Sequence, residues 1–312
     1  MKRIGLLFPG QGSQYVGMGK ALYDSDETVR AIFERAEEVL NFPIKSLCFD
    51  GPEEELKKTY NTQPAILLVS YAVWTKLKKE TGLIPHMVSG HSLGEYTALL
   101  VSGFFSFEDA LLITRKRGLL MENAYPHGQG GMVALLGPDM GLLESFLSRY
   151  STEEKIVTVA NLNSPDQVVI SGDLESLKKV VEELKGTGYK KAVFLNVSGP
   201  FHSPLMRNAA EKLLEELKKI ENHPLNFPVV FNCDATISKN KDEVCEKLFY
   251  QMFSPVRWEE CVRKMVDASC EIFLEVGPRN VLTNLVKRIV PHVPCYPVET
   301  EKDIEKVKEI LG

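Results

Sequence analysis

Residues 86–99, His-Met-Val-Ser-Gly-His-Ser-Leu-Gly-Glu-Tyr-Thr-Ala-Leu, constrain the path of the chain more tightly than any other stretch. Met87 and Val88 read as the end of a buried strand and Leu93 to Leu100 as the first turns of a helix, so Gly90-His91-Ser92-Leu93-Gly94 must supply the bend between them. This is a G-x-S-x-G arrangement, in which a sharp turn lifts a serine hydroxyl above the sheet while glycines let strand and helix approach without a Cβ collision. Ser92 is thus a candidate nucleophile. The same spacing also describes a glycine-flanked helix start with Ser92 as its N-cap.

A chain of 312 residues, 44% hydrophobic and 25% charged, has the balance of a globular protein large enough for one main core and a satellite. Its formal charge of −5 argues against nonspecific nucleic-acid binding. The 6 cysteines have no C-x-x-C spacing, so neither a zinc site nor a disulfide framework is expected, and they read as reduced packing residues. The apolar run Ile4 to Phe8 is too short for a signal peptide, and no stretch approaches the roughly 18 apolar residues of a membrane span. A cytoplasmic chain with no membrane segment and no metal is the expectation.

Ile4 to Phe8 reads as a buried strand stopped by Pro9, and Gly10-Gln11-Gly12 can then aim backbone N–H groups at a shared anion. It is not a nucleotide loop, because the lysine of a Walker motif is missing and the glycine spacing of a dinucleotide fingerprint fails. Gln63-Pro64 is expected to open an apolar helix over residues 65–77, with Gln63 either a site residue or a helix-start residue. A helix over residues 107–123 carries Arg115, Lys116 and Arg117, which cannot all face one way at 3.6 residues per turn. An arginine turned inward would require a carboxylate, for which its planar fork is suited.

Between residues 128 and 198 the rhythm becomes strand, helix, strand, strand, helix, strand, the order of a ferredoxin-like unit too small for a large core of its own. We read it as an insert in an α/β core built from residues 1–127 and 199–312, whose strands and helices alternate. His202 follows the insert between Pro200 and Pro204, which restrain the backbone of a group suited to hold position while it moves a proton. A buried structural histidine is the alternative. No acid stands out as a third member; Asp234 and Glu275 are candidate orienters and equally strand-end surface acids. Residues 299–312 are left as a charged tail.

Phe8-Pro9-Gly10-Gln11-Gly12-Ser13-Gln14, Gly90-His91-Ser92-Leu93-Gly94-Glu95-Tyr96, Arg115 to Gly118, Gly199-Pro200-Phe201-His202-Ser203 and Glu275-Val276-Gly277-Pro278 occur in an order that resembles the malonyl-CoA:acyl carrier protein transacylase family along essentially the whole chain. The resemblance implies an α/β-hydrolase-like core with a parallel sheet and the inserted ferredoxin-like subdomain. It implies Ser92 as the acylated nucleophile, His202 as its base, Arg117 as the partner of the malonyl carboxylate, and the N–H groups of Gln11 and Leu93 as the oxyanion hole. Gln63 would line the pocket, a main-chain carbonyl at Gln251 would orient the histidine in place of an acid, and Phe201 would disfavour a methyl-branched acyl group.

The implied reaction is ping-pong transfer of malonyl from malonyl-CoA to the phosphopantetheine thiol of an acyl carrier protein in fatty acid synthesis. No cofactor is needed, since CoA is part of the substrate. The implied partner docks on basic residues such as Arg115, Lys116, Lys190 and Arg279, because carrier proteins are acidic. A monomer suffices. The rival readings are a serine thioesterase or hydrolase with the same elbow, and a freestanding acyltransferase of polyketide synthesis.

Overall fold

The computed structural model describes residues 2–311, and its strands are Ile4–Phe8 (β1), Met87–Gly90 (β2), Gly130–Leu136 (β3), Val157–Ser164 (β4), Gln167–Asp173 (β5), Lys191–Phe194 (β6), Val229–Val230 (β7), Ile237–Ser238 (β8), Ile272–Val276 (β9) and Cys295–Val298 (β10). The larger sheet has the order β10-β9-β1-β2-β7-β8. Every neighbouring pair in it is parallel except β7 and β8, which form an antiparallel hairpin at one edge. Parallel neighbours need long crossovers, and helices supply them on both faces. That coverage explains why β1, β2 and β9 are buried at every residue.

The strand order reverses at β1, which has β2 on one side and β9 on the other. Ligands of open α/β sheets gather beyond the carboxyl ends of strands at such a switch point. Phe8 and Gly90 are register partners, and the His91 N–H extends the ladder to the Phe8 carbonyl at 3.0 Å. The Gln11 loop and the Ser92 turn therefore leave the sheet side by side.

Two glycines make this possible. A Cβ on Gly94 would lie 2.0 Å from the Phe8 carbonyl oxygen, and one on Gly90 would lie 2.0 Å from the Gly94 carbonyl carbon. Helix Leu93–Val101 therefore meets β1 and β2 backbone to backbone.

The smaller sheet, in the order β4-β5-β3-β6, is antiparallel throughout, and with helices Met140–Tyr150 and Leu174–Leu184 it has the ferredoxin-like arrangement. Val133, Leu135, Leu143, Ile170 and Leu177 form its own core. β4 is also bonded to the rest of the chain, since the Leu162 N–H donates to the Val256 carbonyl and the Val256 N–H to the Ala160 carbonyl.

The structure corrects the sequence reading in three places. The apolar helix begins at Thr59, not Ala65, and runs to Thr81 with Pro64 inside it. Its first turn is anchored sideways: Asn61 Nδ2 donates to the Glu55 carbonyl, Thr62 Oγ1 to the Leu56 carbonyl, and Glu122 accepts the Thr59 N–H. Those bonds offset the donor that proline removes. The supposed tail is a helix, Glu301–Leu311, packed through Ile304 and Val307 and tied by Glu301 to the nearly buried Lys76 at 3.0 Å. Finally, the strand expected over residues 229–232 is only Val229–Val230 and turns back into β8, with the Phe231 N–H continuing the hairpin to the Thr236 carbonyl at 3.0 Å and Asn232 turning to the Ser92 bend.

Gly94→Ala should lower stability by about 2–3 kcal/mol, as overpacking against immovable backbone does. Urea unfolding reads this directly, and an unchanged midpoint would contradict the close approach of helix to strand.

Candidate active site

Ser92 sits on the bend with φ 52° and ψ −104°, a conformation that costs a residue with a Cβ about 1–3 kcal/mol and persists only where the surroundings impose it. Its N–H donates to Asn232 Oδ1 at 2.8 Å. Its hydroxyl does not cap the helix, but lies 2.7 Å from His202 Nε2.

His202 also has a left-handed backbone, φ 56°, within the loop that leads into the short helix Pro204–Met206. Its Nδ1 lies 2.9 Å from the Gln251 carbonyl oxygen, which can only accept. Nδ1 therefore carries the proton, and the Nε2 lone pair faces Ser92. Burial, with the Arg117 charge next in weight, pushes the imidazole pKa down to about 3, so it is neutral in the free protein.

Arg117 is 1% exposed. Nη1 donates to Gln63 Oε1 at 2.8 Å, and Nη2 to Gln251 Oε1 at 3.0 Å and to Ser92 Oγ at 3.2 Å. The guanidinium also lies over the Tyr96 ring at 5.1 Å. These partners are all neutral, and among the described residues none forms an ion pair with it; burial lowers its pKa from the ordinary arginine value. Gly118, where a Cβ would lie 2.5 Å from Tyr60 Cα, lets helix Phe107–Glu122 come close enough to helix Thr59–Thr81 to set Arg117 beside Gln63.

A cavity of about 270 Å³ opens above these groups, with Gln11, Leu93 and Phe201 in its wall on one side and Met132, Asn161 and Val197 of the smaller sheet and its exit on the other. The Gln11 side chain reaches Thr59 Oγ1 at 3.4 Å. The structure thus brings Ser92, His202, Arg117, Gln63, Gln11, Leu93 and Phe201 to one cavity, with Gln251 buried behind it and bonded to Arg117 and His202. It keeps His91 away from Ser92 Oγ, with its Nε2 on Asn163 Oδ1 at 2.8 Å. Of the three neighbouring cations, only Arg117 faces inward; Arg115 stacks over Phe42 and Lys116 is exposed near Glu216. Lys190 and Arg279 are exposed.

Neither suspected acid orients the histidine. Asp234 pairs with Lys247 at 2.6 Å, and Glu275 accepts the N–H groups of Leu282 and Thr283 at the start of helix Val281–Ile289. The sequence reading missed Asn232 and assigned no role to Glu95, although both are fully buried beneath the turn. For Glu95 a signal existed: an acid three residues after a helix-start serine, amid apolar neighbours.

A model of the acyl transferase domain matches residues 6–308. The malonyl CoA-acyl carrier protein transacylase of Bacillus subtilis is 44% identical over 311 residues, covering 100% of this chain and 98% of that one. Its counterpart in Staphylococcus aureus is 37% identical, with 98% of each chain covered. Among solved structures, a malonyl-transacylase in complex with its type II PKS acyl-carrier protein superposes with a TM-score of 0.96 at 38% identity, over 99% of this chain and 100% of that one. The malonyl CoA-acyl carrier protein transacylase of Clostridium perfringens gives 0.93 at 40% identity, over 99% and 97%.

The depressed basicity of His202 is measurable without substrate. Its ring ¹⁵N signals should remain those of the Nδ1–H tautomer down to about pH 4, while an unperturbed histidine titrates near 6.5. A midpoint at 6 or above would contradict the burial and charge environment described.

Proposed function

The chain belongs to the malonyl-CoA:acyl carrier protein transacylase family, and on that premise we propose that Ser92 is the residue that carries the malonyl group from donor to acceptor. The reaction is transfer of malonyl from malonyl-CoA to the phosphopantetheine thiol of an acyl carrier protein, within fatty acid and lipid metabolism. What supports the assignment of roles is one observation above the rest. A buried guanidinium with only neutral partners stands 3.2 Å from the hydroxyl that a histidine can deprotonate.

In the proposed mechanism, Arg117 receives the malonyl carboxylate and so holds the thioester carbonyl over Ser92. Ser92 Oγ attacks that carbonyl as His202 Nε2 takes its proton, and the N–H groups of Gln11 and Leu93 receive the developing oxyanion. The C–S bond then breaks, the proton passes from His202 to the departing CoA sulfur, and malonyl remains as a serine ester. The carrier-protein thiol reverses the sequence: it gives its proton to His202, attacks the ester, and Ser92 recovers its proton as it leaves.

The substrate carboxylate does more than anchor. Because the Arg117 charge disfavours the imidazolium form of His202, a carboxylate on that guanidinium removes part of the penalty and makes the histidine a better base when malonyl is in place. A substrate without the second carboxylate leaves the arginine charge uncompensated. Gln63 and Gln251 keep the planar fork aimed, the Gln251 carbonyl holds the histidine, and Phe201 narrows the space beside the acyl group.

The insert, residues 128–198, forms the second wall of the cavity in this reading and keeps water from the ester. Exposed Lys116, Lys190 and Arg279, with half-buried Arg115, offer a basic approach for an acidic carrier protein. The side chains named above suffice for the proposed steps without a second copy, and we take the monomer as the acting unit. No described helix is long and apolar enough to cross a membrane, and we place the reaction in the cytoplasm with malonyl-CoA and phosphopantetheinylated carrier protein as its partners.

Brief exposure to malonyl-CoA should add about 86 Da to the intact chain, abolished by Ser92→Ala, and the adduct should discharge onto phosphopantetheinylated carrier protein. Loss of the adduct to water with no carrier product would make the chain a hydrolase. An adduct that survives Ser92→Ala would remove the serine from its role.

A further inference from the structure

The helix after the nucleophile begins Ser92-Leu93-Gly94-Glu95, the S-x-x-E spacing of a capping box. In such a box the serine oxygen accepts an N–H of the first turn and the glutamate reaches back to the serine's own N–H. Neither bond is present here. Ser92 makes no side-chain cap, and its N–H is bonded to Asn232 Oδ1 at 2.8 Å. Glu95 Oε2 instead accepts the Asn232 N–H at 2.6 Å.

Asn232 is thus inserted between the two members of the box. Its Nδ2 donates to the Gly90 carbonyl at 2.8 Å, and its own carbonyl accepts the Arg257 N–H at 3.0 Å. The amide can sit only one way round, since Ser92 N–H requires an oxygen and the Gly90 carbonyl requires an N–H. One side chain therefore clamps the last residue of the strand and the nucleophile itself, spanning the bend on which Ser92 holds its unfavourable backbone angles.

We propose that Asn232, carried on Glu95, is a positioning residue that takes the place of Glu95 on the Ser92 N–H and so holds the bend on which the Ser92 hydroxyl is presented for acyl transfer. The first-turn N–H groups of Gly94 and Glu95 are met by backbone, donating to the His91 carbonyl at 2.9 Å and to the Ser92 carbonyl at 3.1 Å, so the Ser92 N–H is the donor that a side chain must meet. With Asn232 in place the bend is fixed, and Ser92 Oγ lies between His202 and Arg117. Without it, the elbow loses the two bonds that hold the Gly90 carbonyl and the Ser92 N–H across the strained residue. Glu95 suits this task as a largely neutral group: burial raises its pKa to about 8, against the opposing pull of the Asn232 N–H and, more weakly, Arg117, and its Oε1 has no partner in the protein.

The inference rests on the reading of Ser92 as the acylated residue, and the test separates the two. Rapid-quench intact-mass measurement of malonyl uptake from malonyl-CoA is made on the native chain, Asn232→Ala, Glu95→Ala and Glu95→Gln. Hydrogen exchange of the Ser92 amide is measured on the native chain and on Asn232→Ala. Acylation of Asn232→Ala should slow on the order of 10²-fold with the malonyl-CoA KM within about threefold, as expected when a reacting atom is misplaced and binding is not. Glu95→Gln keeps an acceptor for the Asn232 N–H and should recover most of the rate that Glu95→Ala loses. The Ser92 amide of Asn232→Ala should exchange on the order of tenfold faster or more, as the loss of its one hydrogen-bond acceptor requires.

Native acylation rates in Asn232→Ala, or an unchanged exchange rate at the Ser92 amide, would overturn the proposal. If Asn232→Ala yields no folded protein, failure of Glu95→Gln to improve on Glu95→Ala overturns it equally. A native chain that takes up no malonyl would refute the serine reading, while the exchange measurement, which needs no substrate, would still decide whether Asn232 holds the bend.

Discussion

A guanidinium sealed in the interior with amide oxygens in place of a carboxylate is the constraint on which the rest of this structure depends. Taking such a charge out of water costs several kcal/mol unless its donors are met. Gln63 and Gln251 meet one donor on each terminal nitrogen while Nε has no partner in the protein, and each glutamine is thereby tied to further duties. Gln63 must sit in a helix close enough to reach, which the glycine at 118 permits. Gln251 also donates Nε2–H to the Ser92 carbonyl at 2.9 Å and lends its own carbonyl to His202. A carboxylate beside His202 would lie near Arg117 and compensate its charge, which on the proposed reading is reserved for the substrate; the Gln251 carbonyl takes that place on the histidine instead.

The second constraint is the bend at Ser92. Strand β2 and the following helix approach through glycine backbone, and the angles at Ser92 are imposed by neighbours that lie far away in sequence. Asn232 enters from beyond β7, His202 from the exit of the smaller sheet, and Arg117 from a helix packed on the other face of the turn. Strain stored at Ser92 is sustained by the packing of the whole larger sheet, which is why the residues that hold it are buried.

Much of this was legible in the sequence. The glycines flanking Ser92, the prolines around His202 and the alternation of strands and helices each carry a local physical signature, and the ferredoxin-like order of the insert follows from periodicity and turn residues alone. What sequence could not supply was long-range pairing. Nothing local marks Asn232 as the partner of a turn 140 residues away, and Arg117 is distinguished from Arg115 and Lys116 only by which helix face meets the core. Glu275 reads as a surface acid at a strand end and is instead fully buried, serving a helix start and not the histidine. The final helix was missed despite the Thr300 and Asp303 cap and the apolar spacing of Ile304 and Val307, because its charge obscured an amphipathic pattern.

The account stands most directly on whether the buried guanidinium exists for the substrate's carboxylate. The measurement is kcat/KM for malonyl-CoA and acetyl-CoA, side by side, in the native chain and in Arg117→Ala. Malonyl transfer should fall on the order of 10²–10³-fold while acetyl transfer holds or rises, because the variant removes both the ion pair and the uncompensated charge that rejects a neutral acyl group. Equal loss for the two substrates would show that Arg117 serves only the packing and the serine, and would contradict the account.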